Sequence, residues 1–91
     1  MGVALVTGAS SGIGAATAIA FADAGWDVMA AGRDEGRLAE VADVSERIAT
    51  WAGDLLEPED CEELLSDTIE EFGGLDCLVN SAGILIQADV A

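Results

Sequence analysis

Four short, largely apolar runs punctuate the chain, at residues 3–6, 26–31, 47–51 and 75–79, and the stretches between them repeat apolar residues at helical spacing. The first run, Val3, Ala4, Leu5 and Val6, has no polar interruption, the pattern of a strand covered on both faces. After it, Ile13, Ala16, Thr17, Ala20 and Phe21 recur three and four apart and predict a helix packing through that face, with Gly25 as its stop. After the second run, Asp34 is placed to cap a helix reaching about Ser45 and packing through Leu38, Val41 and Ala42, with Arg37, Glu40 and Glu46 toward solvent. After the third, Pro58 suits a first helical turn, Cys61, Leu64, Leu65, Thr68, Ile69 and Phe72 share a face, and Gly73-Gly74 ends the helix. Glu57, Glu59, Asp60, Glu62 and Glu63 crowd the start of this helix. The positive end of its dipole favours negative charge there, so the acidic run reads as a solvated helix start.

Strand and helix thus alternate through connections of a few residues, and no Ser/Pro-rich stretch divides residues 1–91 into two units. That order predicts a single α/β domain in which right-handed crossovers join parallel strands and helices cover both faces of the sheet. In a doubly wound sheet of this kind the spatial order is 3-2-1-4, and a ligand lies across the carboxyl ends where the order reverses, between strands 1 and 4. The turns after those two strands are therefore where chemistry is expected.

The turn after the first strand is Thr7-Gly8-Ala9-Ser10-Ser11-Gly12-Ile13-Gly14. Its glycines permit a tight bend and a close backbone approach to a ligand, and the helix that follows begins with amides lacking intrahelical partners. Free amides at the positive end of a helix dipole form a phosphate site. A P-loop is excluded because Gly14 is followed by Ala15-Ala16 instead of Lys-Ser/Thr, and the glycines fall as G-x-x-x-G-x-G, not G-x-G-x-x-G. The turn after the fourth strand is Asn80-Ser81-Ala82-Gly83. An amide side chain there can fasten neighbouring backbone segments, and Ala82 and Gly83 leave room beside a flat ring. A plain strand-end turn would use Asn80 equally well.

The segment from Thr7 to Gly14 resembles the T-G-x-x-x-G-x-G signature of the short-chain dehydrogenase/reductase family, and residues 80–83 resemble its N-N-A-G motif, with Ser81 in place of the second asparagine. The resemblance implies a Rossmann-like doubly wound parallel sheet that binds NAD(H) or NADP(H). Gly8, Ser10, Ser11, Gly12, Ile13 and Gly14 would surround the pyrophosphate, with Asn80, Ala82 and Gly83 across the crevice. Family members that choose NAD carry an Asp at the end of the second strand. Gly32 takes that place here and Arg33 follows. Loss of the acid removes repulsion toward a 2′-phosphate, and a guanidinium binds one through paired charge-assisted hydrogen bonds, so NADP(H) is expected ahead of NAD(H). The other reading of Arg33 is an exposed partner of Asp34. Asp54-Leu55 resembles the family's Asp-Val/Leu pair beside the adenine, Asp54 accepting from the exocyclic amine and Leu55 covering the ring, although Asp54 would serve a turn or cap equally well.

The family's catalytic Y-x-x-x-K pair and the serine before it belong to its second half, and this sequence has no tyrosine and no lysine. No catalytic residue is assigned. The resemblance implies the cofactor-binding front portion of an oxidoreductase that interconverts an alcohol and a ketone or aldehyde, cut after the fourth strand. Residues 84–91 would begin a loop, leaving the far edge of that strand without a neighbour. A non-catalytic dinucleotide-binding or regulatory module is the alternative. A flavodoxin-like mononucleotide module fits N-x-A-G and the glycine spacing poorly. Because the family commonly forms dimers and tetramers, a homo-oligomeric parent protein is implied.

Composition narrows the partners. Eighteen Asp and Glu face three basic residues, Arg33, Arg37 and Arg47, for a formal net charge of −15. Such a surface repels nucleic acid and anionic membranes, and it suits a salt-rich, halophilic cytoplasm where screening relieves its self-repulsion. Hydrophobic residues make up 52% of the chain, enough for a packed core. No run is long enough to span a bilayer, and Met1 leads into the first strand without a signal-peptide n-region, so a cytoplasmic protein is expected. Cys61 and Cys77 are too far apart for C-x-x-C and histidine is absent, so no metal site is expected and both cysteines read as small core or near-core side chains.

Overall fold

A computed structural model describes residues 2–81 and the backbone of residues 84–87. The described residues contain five strands, β1 (Val3–Thr7), β2 (Asp27–Gly32), β3 (Ile48–Ala52), β4 (Cys77–Asn80) and β5 (Ile84–Gln87), and three helices, α1 (Gly12–Asp23), α2 (Glu35–Ala42) and α3 (Pro58–Phe72). One sheet holds all the strands, in the order β3-β2-β1-β4-β5. The central strand β1 runs parallel to both neighbours, with Leu5 opposite Met29 on one side and Leu78 on the other. β3 lies parallel beside β2, Ala30 opposite Thr50. The Rossmann-like 3-2-1-4 order is thus present. The turns after β1 and β4 sit together at the carboxyl edge, Thr7 opposite Asn80.

The fifth strand corrects the expectation of a loop and an open edge. Residues 84–87 pair antiparallel with β4, Asn80 opposite Ile84 and Cys77 opposite Gln87. Ile84, Leu85 and Ile86 are apolar and two of them β-branched, a composition that favours extended chain, and the outer edge of β4 offers a row of otherwise unpaired amides and carbonyls.

The pleat of the strands sorts the core into two layers. Ala4, Val6, Val28, Ala30 and Ile48 meet Ala18 and Ala22 of α1 and Leu38 and Val41 of α2. Their neighbours in sequence, Val3, Leu5, Met29 and Ala31, face the other way and meet Leu64 and Leu75. Both sides of β1 are therefore covered, which accounts for its unbroken apolar run.

α1 uses a face other than the one expected, and α3 buries only part of its expected face. The buried residues of α1 are Gly14, Ala18 and Ala22, whereas Ile13 is 74% exposed. Residues 13–22 are apolar on nearly every side, so their spacing carries no direction, and the smallest side chains win the close approach to the sheet. α3 buries Leu64 and Thr68 and leaves Cys61, Leu65 and Ile69 exposed. The Thr68 hydroxyl donates to the Leu64 carbonyl at 2.7 Å, so its burial strands no polar group. α2 stops at Ala42, short of Ser45, because Val44 and Ser45 donate three residues back, to Val41 and Ala42, and tighten the chain out of the α-helix.

The helix ends explain several polar residues. Asp34 accepts from the Arg37 amide at 3.1 Å and caps α2. Glu57 and Asp60 form a reciprocal capping box at the start of α3, Asp60 accepting from the Glu57 amide at 3.0 Å. Part of the acidic run therefore terminates the helix and is not only solvated.

Cys77 is buried and Cys61 exposed, so only the former is the core residue expected of both. Burial pushes the Cys77 thiol up, and the adjacent Asp76 carboxylate adds to the effect. Iodoacetamide at neutral pH is expected to modify Cys61 in the native chain and Cys77 only in denaturant, as read by mass spectrometry. Equal labelling of both in the native chain would mean that β4 is not packed as described.

Candidate functional site

β1 delivers the chain into a turn held by one carbonyl. Gly8 has φ 66°, a region that side-chain-bearing residues rarely occupy. Its oxygen accepts from the Ser11 amide at 3.1 Å, the Ser11 hydroxyl at 2.7 Å and the Ser81 hydroxyl at 3.2 Å. Gly14, in the first turn of α1, lies against the same carbonyl. A methyl group on Gly14 would overlap that oxygen and come within 2.9 Å of the Ala9 Cα. Ser11 is the N-cap of α1, but its hydroxyl donates backward to Gly8, and the helix has no side-chain cap. The first amides of α1 consequently keep their donors for an acceptor from outside, at the positive end of the helix dipole.

A cavity of about 440 Å³ opens over this turn. Gly8, Ser10 and Ser11 border it from the end of β1, Gly32 and Arg33 from the end of β2, and Asn80 and Ser81 from the end of β4. The segment after β3 adds Gly53, Asp54, Leu55 and Leu56. Two backbone hydrogen bonds tie these exits together, Ala9 to the Ala31 carbonyl and Gly53 to the Gly32 carbonyl, both 2.9 Å. A Cβ at residue 32 would sit 2.8 Å from the Ser10 hydroxyl, so the absent side chain there leaves that hydroxyl its place beside the cleft.

The rim carries one cation and one anion in contact. Arg33 Nε approaches Asp54 Oδ1 at 3.5 Å, with side chains 82% and 50% exposed. This corrects the pairing of Arg33 with Asp34. The Asp34 carboxylate is occupied by the start of α2 and by Arg37 Nε at 3.6 Å, whereas β2 and β3, paired through Gly32 and Ala52, bring their next residues together.

Of the residues singled out in the sequence, Gly8, Ser10, Ser11, Arg33, Asp54, Leu55 and Asn80 border the cleft. Gly14 is buried beneath the turn, Gly12 lines a neighbouring recess, and Ile13 projects into solvent. Ala82 and Gly83 lie outside the described residues. Four cleft residues carry no assignment from sequence: Ala31, Ser81, Gly53 and Leu56, the last 79% exposed. The signal for Ser81 is its position in a motif one residue beyond the Thr7–Asn80 pairing. That for Leu56 is a second consecutive leucine in an otherwise acidic segment. Among the described residues no group of His, Cys, Asp and Glu is arranged to hold a metal ion, and no helix is long and apolar enough to cross a membrane. Main-chain donors at the helix start beside the cavity, a guanidinium and a carboxylate on its rim and leucines at its lip suit a ligand that is anionic in the middle and carries a flat apolar ring.

The model of the short chain dehydrogenase family matches residues 2–91, and the chain belongs to that family. The chain is similar to an uncharacterized oxidoreductase of Staphylococcus saprophyticus, 45% identical over 93 residues that cover 97% of this chain and 40% of that protein. Among solved structures it is similar to the 3-ketoacyl-(acyl-carrier-protein) reductase from Brucella melitensis complexed with NADH, with 32% identity and a TM-score of 0.79 over 84% of this chain and 32% of the other. It is also similar to a short chain dehydrogenase from Shigella flexneri complexed with NADP, with 34% identity and a TM-score of 0.77 over 90% of this chain and 37% of the other. The chain thus spans less than half the length of each of these relatives. Its sheet corresponds to the amino-terminal, nucleotide-binding region of an oxidoreductase family.

The contact of Gly14 with the Gly8 carbonyl has no slack. Gly14→Ala is expected to cost about 1–3 kcal/mol in urea unfolding, the usual penalty of overpacking. Gly12→Ala, where a Cβ would meet nothing within 4 Å, is expected to leave stability unchanged or raise it. Equal effects at the two positions would show that the turn does not lock the helix.

Proposed function

We propose that this chain is the dinucleotide-binding portion of a short-chain dehydrogenase/reductase that takes NADP(H) ahead of NAD(H), and that the complete protein interconverts an alcohol and a carbonyl compound. The observation that carries this reading is the start of α1, which has no side-chain cap, packs against Gly8 and has its N-cap residue Ser11 at the border of the cleft. A pyrophosphate placed there receives main-chain donors and the helix dipole with no side chain in the way. Gly8, Ser10, Ser11, Gly12, Ile13 and Gly14 serve it through the backbone of the turn. Asp54 and Leu55 take the adenine, while Asn80, Ala82 and Gly83 border the nicotinamide side. Arg33 takes the 2′-phosphate.

The cofactor preference rests on Gly32 and Arg33, since relatives are seen with either dinucleotide. The Arg33–Asp54 pair does not oppose it strongly. Exposed ion pairs are worth about 0–1 kcal/mol, and a 2′-phosphate offers the guanidinium a more highly charged, bidentate partner. A non-catalytic nucleotide-binding module is the second reading. A Y-x-x-x-K motif encoded downstream in the same reading frame favours the enzyme, and its absence there favours the module. The acidic, lysine-free composition supports a salt-rich cytoplasm as the setting, and the family resemblance supports a homo-oligomeric complete protein.

Fluorescence titration in high salt is expected to give tighter binding of NADPH than of NADH. Arg33→Ala should weaken NADPH about tenfold, the loss of a charge-assisted contact, and leave NADH nearly unaffected. Stronger binding of NADH, or an indifferent Arg33 variant, would remove the preference. The thermal midpoint should rise from dilute buffer to molar KCl as screening relieves the repulsion among carboxylates. A falling midpoint would end the halophilic reading.

A further inference from the structure

We propose that Arg37 is a second ligand of the cofactor's 2′-phosphate, facing Arg33 across Ser10. The proposal rests on the nucleotide reading above and deepens it. The chain has three cations among eighteen acids, and their placement is uneven. Arg47 immediately precedes β3, its Nη1 3.4 Å from Asp27 at the amino end of β2, at the sheet edge opposite the cleft. The other two flank the glycine turn. Arg33 borders the main cavity together with Ser10 and Ser11. Arg37 borders an adjoining recess of about 310 Å³ together with Ser10, Ser11 and Gly12. Ser10 is shared by both spaces, so the two arginines line spaces that meet at this residue.

The local charge balance favours a second cation. A phosphate monoester carries about −1.5 to −2 at neutral pH. Arg33 alone is already matched by Asp54. Asp34 and Glu35 border a second hollow together with Arg33, and Glu40 lines the recess beside Arg37. A second arginine among these four carboxylates lowers, without cancelling, the net negative charge that a dianion meets. Arg37 is available for this role. It is placed by the capped first turn of α2, its side chain is 67% exposed, and its approach to Asp34 is through Nε at 3.6 Å, a weak surface pair that an incoming dianion can displace. The Asp34 cap on the Arg37 main-chain amide is independent of that side chain, so the helix start survives the exchange.

The experiment is a set of fluorescence titrations of NADPH and NADH against the native sequence, Arg37→Ala, Arg37→Lys, Arg33→Ala and the double alanine variant, at low and high KCl, with circular dichroism confirming that each is folded. Arg37→Ala is expected to weaken NADPH about three- to tenfold while changing NADH by no more than about twofold, the range of an exposed charge pair. Arg37→Lys should recover part of the loss, because the charge returns without the planar fork. The salt dependence of NADPH binding should flatten in Arg37→Ala. Equal weakening of both cofactors would assign Arg37 to the helix alone and overturn the proposal, as would no change in either. A selective NADPH loss in Arg37→Ala with none in Arg33→Ala would support Arg37 and retire the Arg33 assignment. Failure of the native sequence to bind either dinucleotide would overturn the nucleotide reading and this one with it.

Discussion

The carbonyl oxygen of Gly8 is the point on which the site depends. Two donors from Ser11 and one from Ser81 converge on it, and Gly14 packs against it. These contacts join three separate elements, the end of β1, the start of α1 and the end of β4. Each exposed hydrogen bond contributes on the order of 1 kcal/mol, but their geometric effect is larger. By turning the Ser11 hydroxyl toward Gly8, the contact that anchors α1 also takes away the acceptor that would ordinarily satisfy its first amides. Anchoring the helix and exposing its positive end are one event.

Most of the framework was legible in the sequence because each strand carries a pattern with few alternatives. The unbroken run from Val3 to Val6 admits little besides a strand covered on both sides, and the bounds of the later strands fall within two residues of their apolar runs. The helix faces were less legible for opposite reasons. α1 is apolar on too many sides for spacing to choose among them, so the packing of Gly14, Ala18 and Ala22 was decided by tertiary proximity. In α3 the expected apolar stripe is real but only partly covered, leaving Leu65 and Ile69 at the surface. The fifth strand was missed because its pairing depends on a vacant edge, a property of the sheet and not of residues 84–87. The alternative reading of Arg33, an exposed ion pair, looks to the acid next to it in sequence, whereas strand register brings a more distant one, Asp54, into reach. Glycine and asparagine positions were legible where backbone shape dictates the residue. Partnerships among exposed charges were not, since many acids compete for each arginine.

Electrostatics and architecture pull in different directions here. The net charge of −15 discourages the approach of any anion, yet the fold concentrates main-chain donors and two of three arginines around one turn. The helix dipole acts within about its first turn and the guanidiniums within a few ångströms, whereas the general repulsion is long-ranged and weakened by salt. A salt-rich medium therefore damps the obstacle more than the site.

The alternation that divides the core has a genetic corollary. Val3 and Leu5 belong to one layer and Ala4 and Val6 to the other, so a one-residue insertion or deletion between them would exchange the partners of everything beyond it, presenting to α1 what α3 now covers. The same lesion within residues 33–34 or 53–57, between a strand and the helix that follows, need only lengthen or shorten a connection. Length variation among descendants of this gene should accordingly collect in those connections and spare the central strand, a record of the sheet's two-sidedness written in alignment gaps.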